Sequence, residues 1–170
     1  MTPPLHVIDW PGSGRLATMA RPPGGERLRE TMSALRQAGV DVLVSALCTD
    51  EYERAALADE AAAATDAGLD FVSFPIVDCG VPTPDALPAA TQLADRLAAE
   101  VRMGRYVVTH CWAGIGRSSL LAGAALVRLG VAPEQAWRLI ATARGLTVPD
   151  APDQEAWLYE FASLPVARWP

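Results

Sequence analysis

The sequence predicts a single α/β domain over residues 1–170, with a central, largely parallel sheet flanked by helices and its chemistry at the C-terminal ends of the strands. Short apolar, β-branched runs alternate along the chain with segments whose apolar residues recur at helical spacing. At 170 residues and 51% hydrophobic content, the chain holds enough apolar material for one substantial core and needs no second domain. A glycine-containing loop, His110 to Ser118, stands between a strand-like run and an apolar helix with no breaker.

Leu5 to Ile8 and Arg15 to Ala20 read as short strands that open the sheet, separated by the turn Pro11-Gly12-Ser13-Gly14. After Pro22-Pro23-Gly24-Gly25, the residues Leu28, Met32 and Leu35 recur at helical spacing, and Gly39 supplies a stop. Val40 to Leu47 reads as a core strand. Asp50 to Ala67 is alanine-rich and helical by propensity, ending at Gly68, and Leu69 to Phe74 returns as a strand. Leu87, Leu93, Leu97 and Val101 place apolar groups on a long helix that closes before Gly104. Tyr106-Val107-Val108-Thr109 has the character of a buried strand, and Ser118 to Leu129 is a small-residue helix stopped by Gly130. Pro133 starts a further helix where its missing N–H costs nothing. Val148 to Glu155 leads into the last helix.

The loop between the buried strand and the small-residue helix carries the chemistry. Backbone N–H groups from Trp112 through Ala113, Gly114, Ile115 and Gly116 to Arg117 are expected to turn inward, and those opening the helix have no intrahelical partner. Such a nest binds a tetrahedral oxyanion. Gly114 and Gly116 are expected at positive φ, letting the chain approach the bound group closely. Arg117 carries a planar fork suited to two phosphate oxygens, and its charge beside a helix N-terminus favours a thiolate at Cys111. The Ser118 hydroxyl is placed to hydrogen-bond that sulfur, and His110 to fix the loop backbone rather than transfer protons.

The run His110-Cys111-Trp112-Ala113-Gly114-Ile115-Gly116-Arg117-Ser118 resembles the signature of the protein tyrosine phosphatase superfamily at every defining position. The order of elements from about Asp9 to Phe161 is similar to its compact dual-specificity branch. The resemblance implies a phosphatase-type catalytic loop between strand and helix, with Cys111 as nucleophile, a thiophosphate intermediate, no cofactor and no metal. Phosphoryl transfer leaves an oxyanion that needs a proton, and Asp78, in the proline-punctuated loop Phe74 to Pro84, is the candidate acid and, in the second step, the candidate base. Asp85 is the rival carboxylate but reads as a helix-opening residue. The resemblance further implies that Gln154, early in the last helix, positions the attacking water. In some lipid-phosphatase relatives a cysteine at the place of Cys48 forms a reversible disulfide with the nucleophile; the other reading of Cys48 is a small buried residue, and Cys79 is a weaker redox candidate. Trp112 either lays its ring against an aromatic substrate or packs.

The implied substrate is a phosphorylated protein or peptide carrying phosphotyrosine or phosphothreonine. Lysine is absent from the loop interior, which disfavours a multiply phosphorylated lipid. The net charge of −6 and the lack of a basic run make nucleic acid and anionic membranes poor partners. No stretch has the length of a membrane span or the pattern of a signal peptide, so a cytoplasmic location is expected. Cys48, Cys79 and Cys111 form no paired ladder of spacings. Two other functions stay open: a rhodanese-type sulfurtransferase, which also uses a cysteine in an anion-binding loop, and a catalytically silent phosphate-binding module. A zinc site from His6, His110 and the cysteines lacks ligand spacing.

Overall fold

The computed structural model describes residues 3–165. Along the chain run β1 (His6–Val7), β2 (Arg15–Ala20), α1 (Leu28–Gln37), β3 (Val42–Ser45), α2 (Thr49–Arg54), α3 (Glu60–Asp66), β4 (Asp70–Ser73) and α4 (Leu87–Arg102), followed by β5 (Tyr106–Cys111), α5 (Arg117–Arg128), α6 (Pro133–Arg144) and α7 (Pro152–Ala162). The sheet order is β1-β2-β5-β3-β4, with β1 antiparallel to β2 and every other pairing parallel. The central strand β5 therefore ends at Cys111 with β2 and β3 on either side.

Strand alternation divides the core into two layers. Leu16, Val42, Val44 and Val107 point to the face covered by α4 to α7, where Leu97, Leu120, Ile140, Leu158 and Phe161 meet them. Ala17, Met19, Leu43 and Val108 point to the other face, where Leu28, Met32, Leu35 and Leu57 close over them. Helix α5 packs against α4, α6, α7 and β5 and is buried along nearly its whole length, which explains its small apolar composition. The predicted strands are trimmed at their ends. Val40 and Leu47 are fully buried, yet the Val40 N–H donates to Leu35 O and the Leu47 N–H faces Ser45 Oγ, so only Val42–Ser45 joins the ladder.

The segment expected as one helix from Asp50 to Ala67 is two, α2 and α3. The chain breaks at Ala55 and Ala56, where Ala56 takes φ 53°, and fully buried Leu57 turns into the core. Gly25 N–H donates to Ala56 O at 2.9 Å, and a Cβ on Gly24 would overlap the carbonyl oxygens of Ala55 and Ala56. Docking of the diglycine against the break thus overrides alanine's helix propensity. The break has a consequence for the site. In an unbroken helix Glu51 and Glu60 would lie about 180° apart, whereas here both carboxylates are buried and both face the catalytic strand and loop.

Gly24→Ala is expected to destabilise the protein by about 1–3 kcal/mol, the usual cost of an added methyl in a closed contact. Urea unfolding measures it, and an unchanged midpoint would show that the break at Ala55 and Ala56 does not need the diglycine.

Candidate active site

Cys111 ends β5 and Arg117 begins α5, so the five residues between them form the loop floor. Thr109 Oγ1 donates to Ser118 O at 2.8 Å and Arg21 N–H to Trp112 O at 3.2 Å, tying the loop to both flanking elements. Gly114 takes φ 70°, as expected, but its close approach is to β2: a Cβ there would overlap the Met19 carbonyl. Gly116 departs from expectation with φ −87°. A Cβ there would overlap Asp150 Oδ1 and come within 2.7 Å of Gln154 Oε1, so these two side chains occupy the space over its bare Cα.

Cys111 lies at the base of a cavity of about 140 Å³ lined by Asp78, Cys79, Trp112, Ala113, Gly116, Arg117, Asp150 and Gln154. Its Sγ is 3.4 Å from the fully buried Ser118 hydroxyl. Gly114 is buried and Ile115 packs against the core, so neither lines the cavity.

Arg117 is buried and its guanidinium is held on one edge. Nη1 and Nη2 donate to Glu51 Oε2 and Oε1 at 2.7 and 2.8 Å, and Nη1 also to Ile76 O at 3.0 Å. Burial opposes the positive charge, but the Glu51 hydrogen bonds and the neighbouring Cys111, Glu51 and Asp78 outweigh it and hold the guanidinium pKa above its ordinary value. Nη2 further meets Asp78 Oδ1 at 3.0 Å. Among the described residues nothing accepts from Nε. Since an arginine carries five N–H donors, Glu51 takes the Nη1/Nη2 edge, and the Nε/Nη2 edge can serve an anion, with Asp78 on its Nη2.

Asp78 is presented by a tight turn closed by Gly80 N–H on Val77 O at 2.8 Å, with Cys79 in the left-handed region at φ 57°. Gln154 links this turn to the catalytic loop. It is fully buried, its Nε2 donates to Gly80 O at 3.0 Å, and its Oε1 has no hydrogen-bond partner. The structure therefore brings Cys111, Arg117, Ser118, Asp78 and Gln154 together. Asp85 falls in a 3₁₀ turn, Pro84–Ala86, that leads into α4, in keeping with a helix-opening role.

The remaining expected residues flank this group. His110 is fully buried with Nε2 3.0 Å from Glu60 Oε1, although neither side chain is in hydrogen-bond alignment. The Trp112 ring is occupied by guanidiniums, Arg21 at 4.2 Å and Arg54 at 4.9 Å from the ring centroid, which makes it a packed cation–π element of the rim. Cys48 opens to a neighbouring groove of about 420 Å³, shared with Asp50, Glu51, Arg54, Val77, Asp78 and Trp112, and its thiol donates to Ile76 O at 3.4 Å. Burial and Glu51 push that thiol up. Cys79, not Cys48, lines the same cavity as Cys111; Asp78, then burial and Asp150, push its thiol up. All three cysteines are free. Among the described residues no helix is long and apolar enough to cross a membrane, and no cluster of His, Cys, Asp or Glu is arranged to hold a metal.

The model of the Tc-R-P family, described as a polymorphic toxin system DSP-PTPase phosphatase, matches residues 17–131. The chain belongs to this DSP-PTPase family. The family match ends before α6, so Asp150 and Gln154 lie outside it. No curated protein matches this DSP-PTPase by sequence. Among solved structures, kinase associated phosphatase, crystallised with its catalytic-site cysteine replaced by serine, superposes with a TM-score of 0.82 at 19% identity over 95% of this chain and 94% of its own. PTPMT1, solved in complex with PI(5)P, gives 0.67 at 27% identity over 86% and 89%. Human DUSP28 gives 0.65 at 22% identity over 95% of each chain. The compact dual-specificity-like phosphatase fold is thereby shown.

Sequence reasoning missed Glu51, Glu60 and Asp150. Glu51 carries a usable signal: it stands three residues after Cys48 at a strand-to-helix junction, the spacing of a capping box, and its Oε2 does accept the Cys48 N–H at 2.9 Å. Glu60 has no such signal within its alanine-rich surroundings. Asp150 follows Pro149 in a loop that offers no periodicity.

Glu51 links site and stability. Burial alone would raise its carboxyl, but the hydrogen bond and charge of Arg117 and the Cys48 N–H hold it below the usual range. A lowered native pKa contributes stability that is full above the unfolded value of about 4.3 and is lost as pH falls through the native value. Glu51→Gln is expected to cost about 3–5 kcal/mol at neutral pH by leaving Arg117 buried without its partner. It should also flatten the fall in stability from about pH 5 downward. Denaturant unfolding across that range measures both, and parallel curves for the two proteins would contradict the assignment.

Proposed function

We propose that this DSP-PTPase family member is a cysteine-dependent phosphomonoester hydrolase acting on phosphotyrosyl, and with dual specificity phosphothreonyl, proteins or peptides. The observation that supports it best is that Cys111 and Arg117 line one cavity, with the guanidinium held by Glu51 through Nη1 and Nη2.

The Cys111 thiolate attacks phosphorus in line. The loop amides and Arg117 stabilise the equatorial oxygens, and Asp78 leaves Arg117 to protonate the departing oxygen. The electron pair of the breaking P–O bond goes to that oxygen, and a thiophosphate forms on Cys111. Ser118 hydrogen-bonds the sulfur and eases its later departure. Water held at Gln154 then attacks phosphorus, gives its proton to a carboxylate of the cavity and breaks the Sγ–P bond, so that inorganic phosphate leaves and Cys111 returns as thiolate. No cofactor or metal enters these steps. The organic part of the substrate extends into the adjoining groove beside Trp112 and Val77, where Val77 is 71% exposed.

PTPMT1 is a relative whose solved complex holds PI(5)P. The loop interior here, Trp112 to Gly116, has no lysine to meet further phosphates, which favours a phosphopeptide over such a headgroup. The acidic chain favours neither nucleic acid nor an anionic membrane as partner, and we place its action in the cytoplasm as one domain of residues 1–170.

With p-nitrophenyl phosphate and a phosphotyrosyl peptide, wild type should turn over, Cys111→Ser should lose turnover while still binding, and Asp78→Ala should lose about 100-fold or more in kcat with little change in KM. Sulfur transfer from thiosulfate to cyanide without phosphate release would select the sulfurtransferase. Binding of phosphate without turnover of either substrate would select the silent module.

A further inference from the structure

The cavity holds a second carboxylate that the expected mechanism does not use. Asp150 lines it beside Gln154, and both side chains reach over Gly116: Asp150 Oδ1 would overlap a Gly116 Cβ, and Gln154 Oε1 lies 2.7 Å from where that Cβ would be. Gln154 has no freedom to turn its oxygen elsewhere. Its Nε2 is committed to Gly80 O at 3.0 Å, and its Oε1 is buried without a donor. An acceptor left so costs about 1–3 kcal/mol unless something donates to it. Water entering the cavity is the donor that fits.

Asp78 and Asp150 approach the reacting centre from different directions. Asp78 lines both the catalytic cavity and the groove beside Trp112, whereas Asp150 lines only the cavity, on the α7 side with Gln154. In-line displacement at phosphorus brings the leaving oxygen and the later water to the same position opposite the sulfur, one after the other. The leaving oxygen carries its organic group into the groove past Asp78. The water that replaces it meets the Gln154 oxygen and the Asp150 carboxylate.

We propose that Asp150 is the general base of the second step, a catalytic residue distinct from Asp78. The inference rests on the cysteine-phosphatase reading above and departs from the expectation that Asp78 serves both steps. The water donates one hydrogen bond to Gln154 Oε1 and gives its other proton to the Asp150 carboxylate as its oxygen attacks phosphorus. The new P–O bond forms, the Sγ–P bond breaks, and its electron pair returns to Cys111 as thiolate. Inorganic phosphate leaves, and Asp150, which is exposed, passes the proton to solvent. Asp78 has already given its proton to the leaving group and regains one before the next turnover.

Rapid-quench kinetics with p-nitrophenyl phosphate separates the two steps. Asp150→Asn should release a burst of p-nitrophenol approaching one equivalent and then turn over about 100-fold or more slowly. Acid quench should recover the phosphoryl group on the Cys111 peptide by mass spectrometry. Asp150→Ser, with a smaller side chain over Gly116, carries the same expectation, so a folding defect peculiar to one variant does not imitate the result. Asp78→Asn should show the opposite pattern, a slow first step with no trapped intermediate. Wild-type turnover without a burst in both Asp150 variants overturns the proposal, as does a phosphoenzyme that accumulates in Asp78→Asn and in neither of them. If wild type releases no p-nitrophenol and never carries phosphate on Cys111, it is the phosphatase reading that falls, and this inference with it.

Discussion

The site depends on one buried ion pair, the bidentate contact between Glu51 and Arg117. A guanidinium in a cavity wall is useful only if its orientation is fixed before the anion arrives, because reorganisation during binding would consume the interaction. Glu51 fixes it through Nη1 and Nη2, with Ile76 O supporting Nη1, and leaves Nε without an acceptor among the described residues. Burying two charges is unfavourable unless the geometry is good and the remaining hydrogen-bonding groups are met. Here the second carboxylate oxygen also caps α2 at Cys48. The pair in turn rests on the fold: β3 and β4 lead the chain past Ala46 and Ile76, and the break between α2 and α3 lets Glu51 and Glu60 both face inward.

Charge explains the rest of the cavity. On a chain of net charge −6 the proposed anionic substrate needs a local positive field, for which Arg117 lines the cavity and Arg21 and Arg54 stand on the Trp112 ring at its rim. Asp78 Oδ1 stands 3.0 Å from Arg117 Nη2, so the proposed acid and the proposed phosphate share one donor. Gln154 stands between the Asp78 turn, to which its Nε2 donates at Gly80 O, and Gly116, over which its Oε1 lies.

Much of this was legible in the sequence, for a physical reason. The strand, loop and helix around Cys111 are contiguous, so periodicity and glycine placement reveal them without tertiary information. The same holds for Asp78 in its proline-rich turn and for Pro133 at the start of α6. What stayed hidden is what only packing decides. Ala55 and Ala56 belong to a good helix-forming stretch, and nothing local says that Gly24 and Gly25 will dock there. Glu51 and Glu60 look like solvated helix acids until the break turns them inward. Gly116 is expected at positive φ, whereas it takes φ −87° and lies beneath Asp150 and Gln154, which come from far along the chain. Which thiol lines the cavity of Cys111 is likewise set by the folded turn: Cys79 lines it, and Cys48 lines the neighbouring groove.

The most direct test is a crystal structure of the wild type with orthovanadate. The account predicts vanadium bonded to Cys111 Sγ, two equatorial oxygens on Arg117 Nε and Nη2, and Asp78 displaced from Nη2 toward the apical oxygen, while Glu51 keeps both of its contacts to the guanidinium. Vanadate bound away from Cys111, or a guanidinium that must leave Glu51 to reach it, would contradict the claim that a preset arginine edge organises this site.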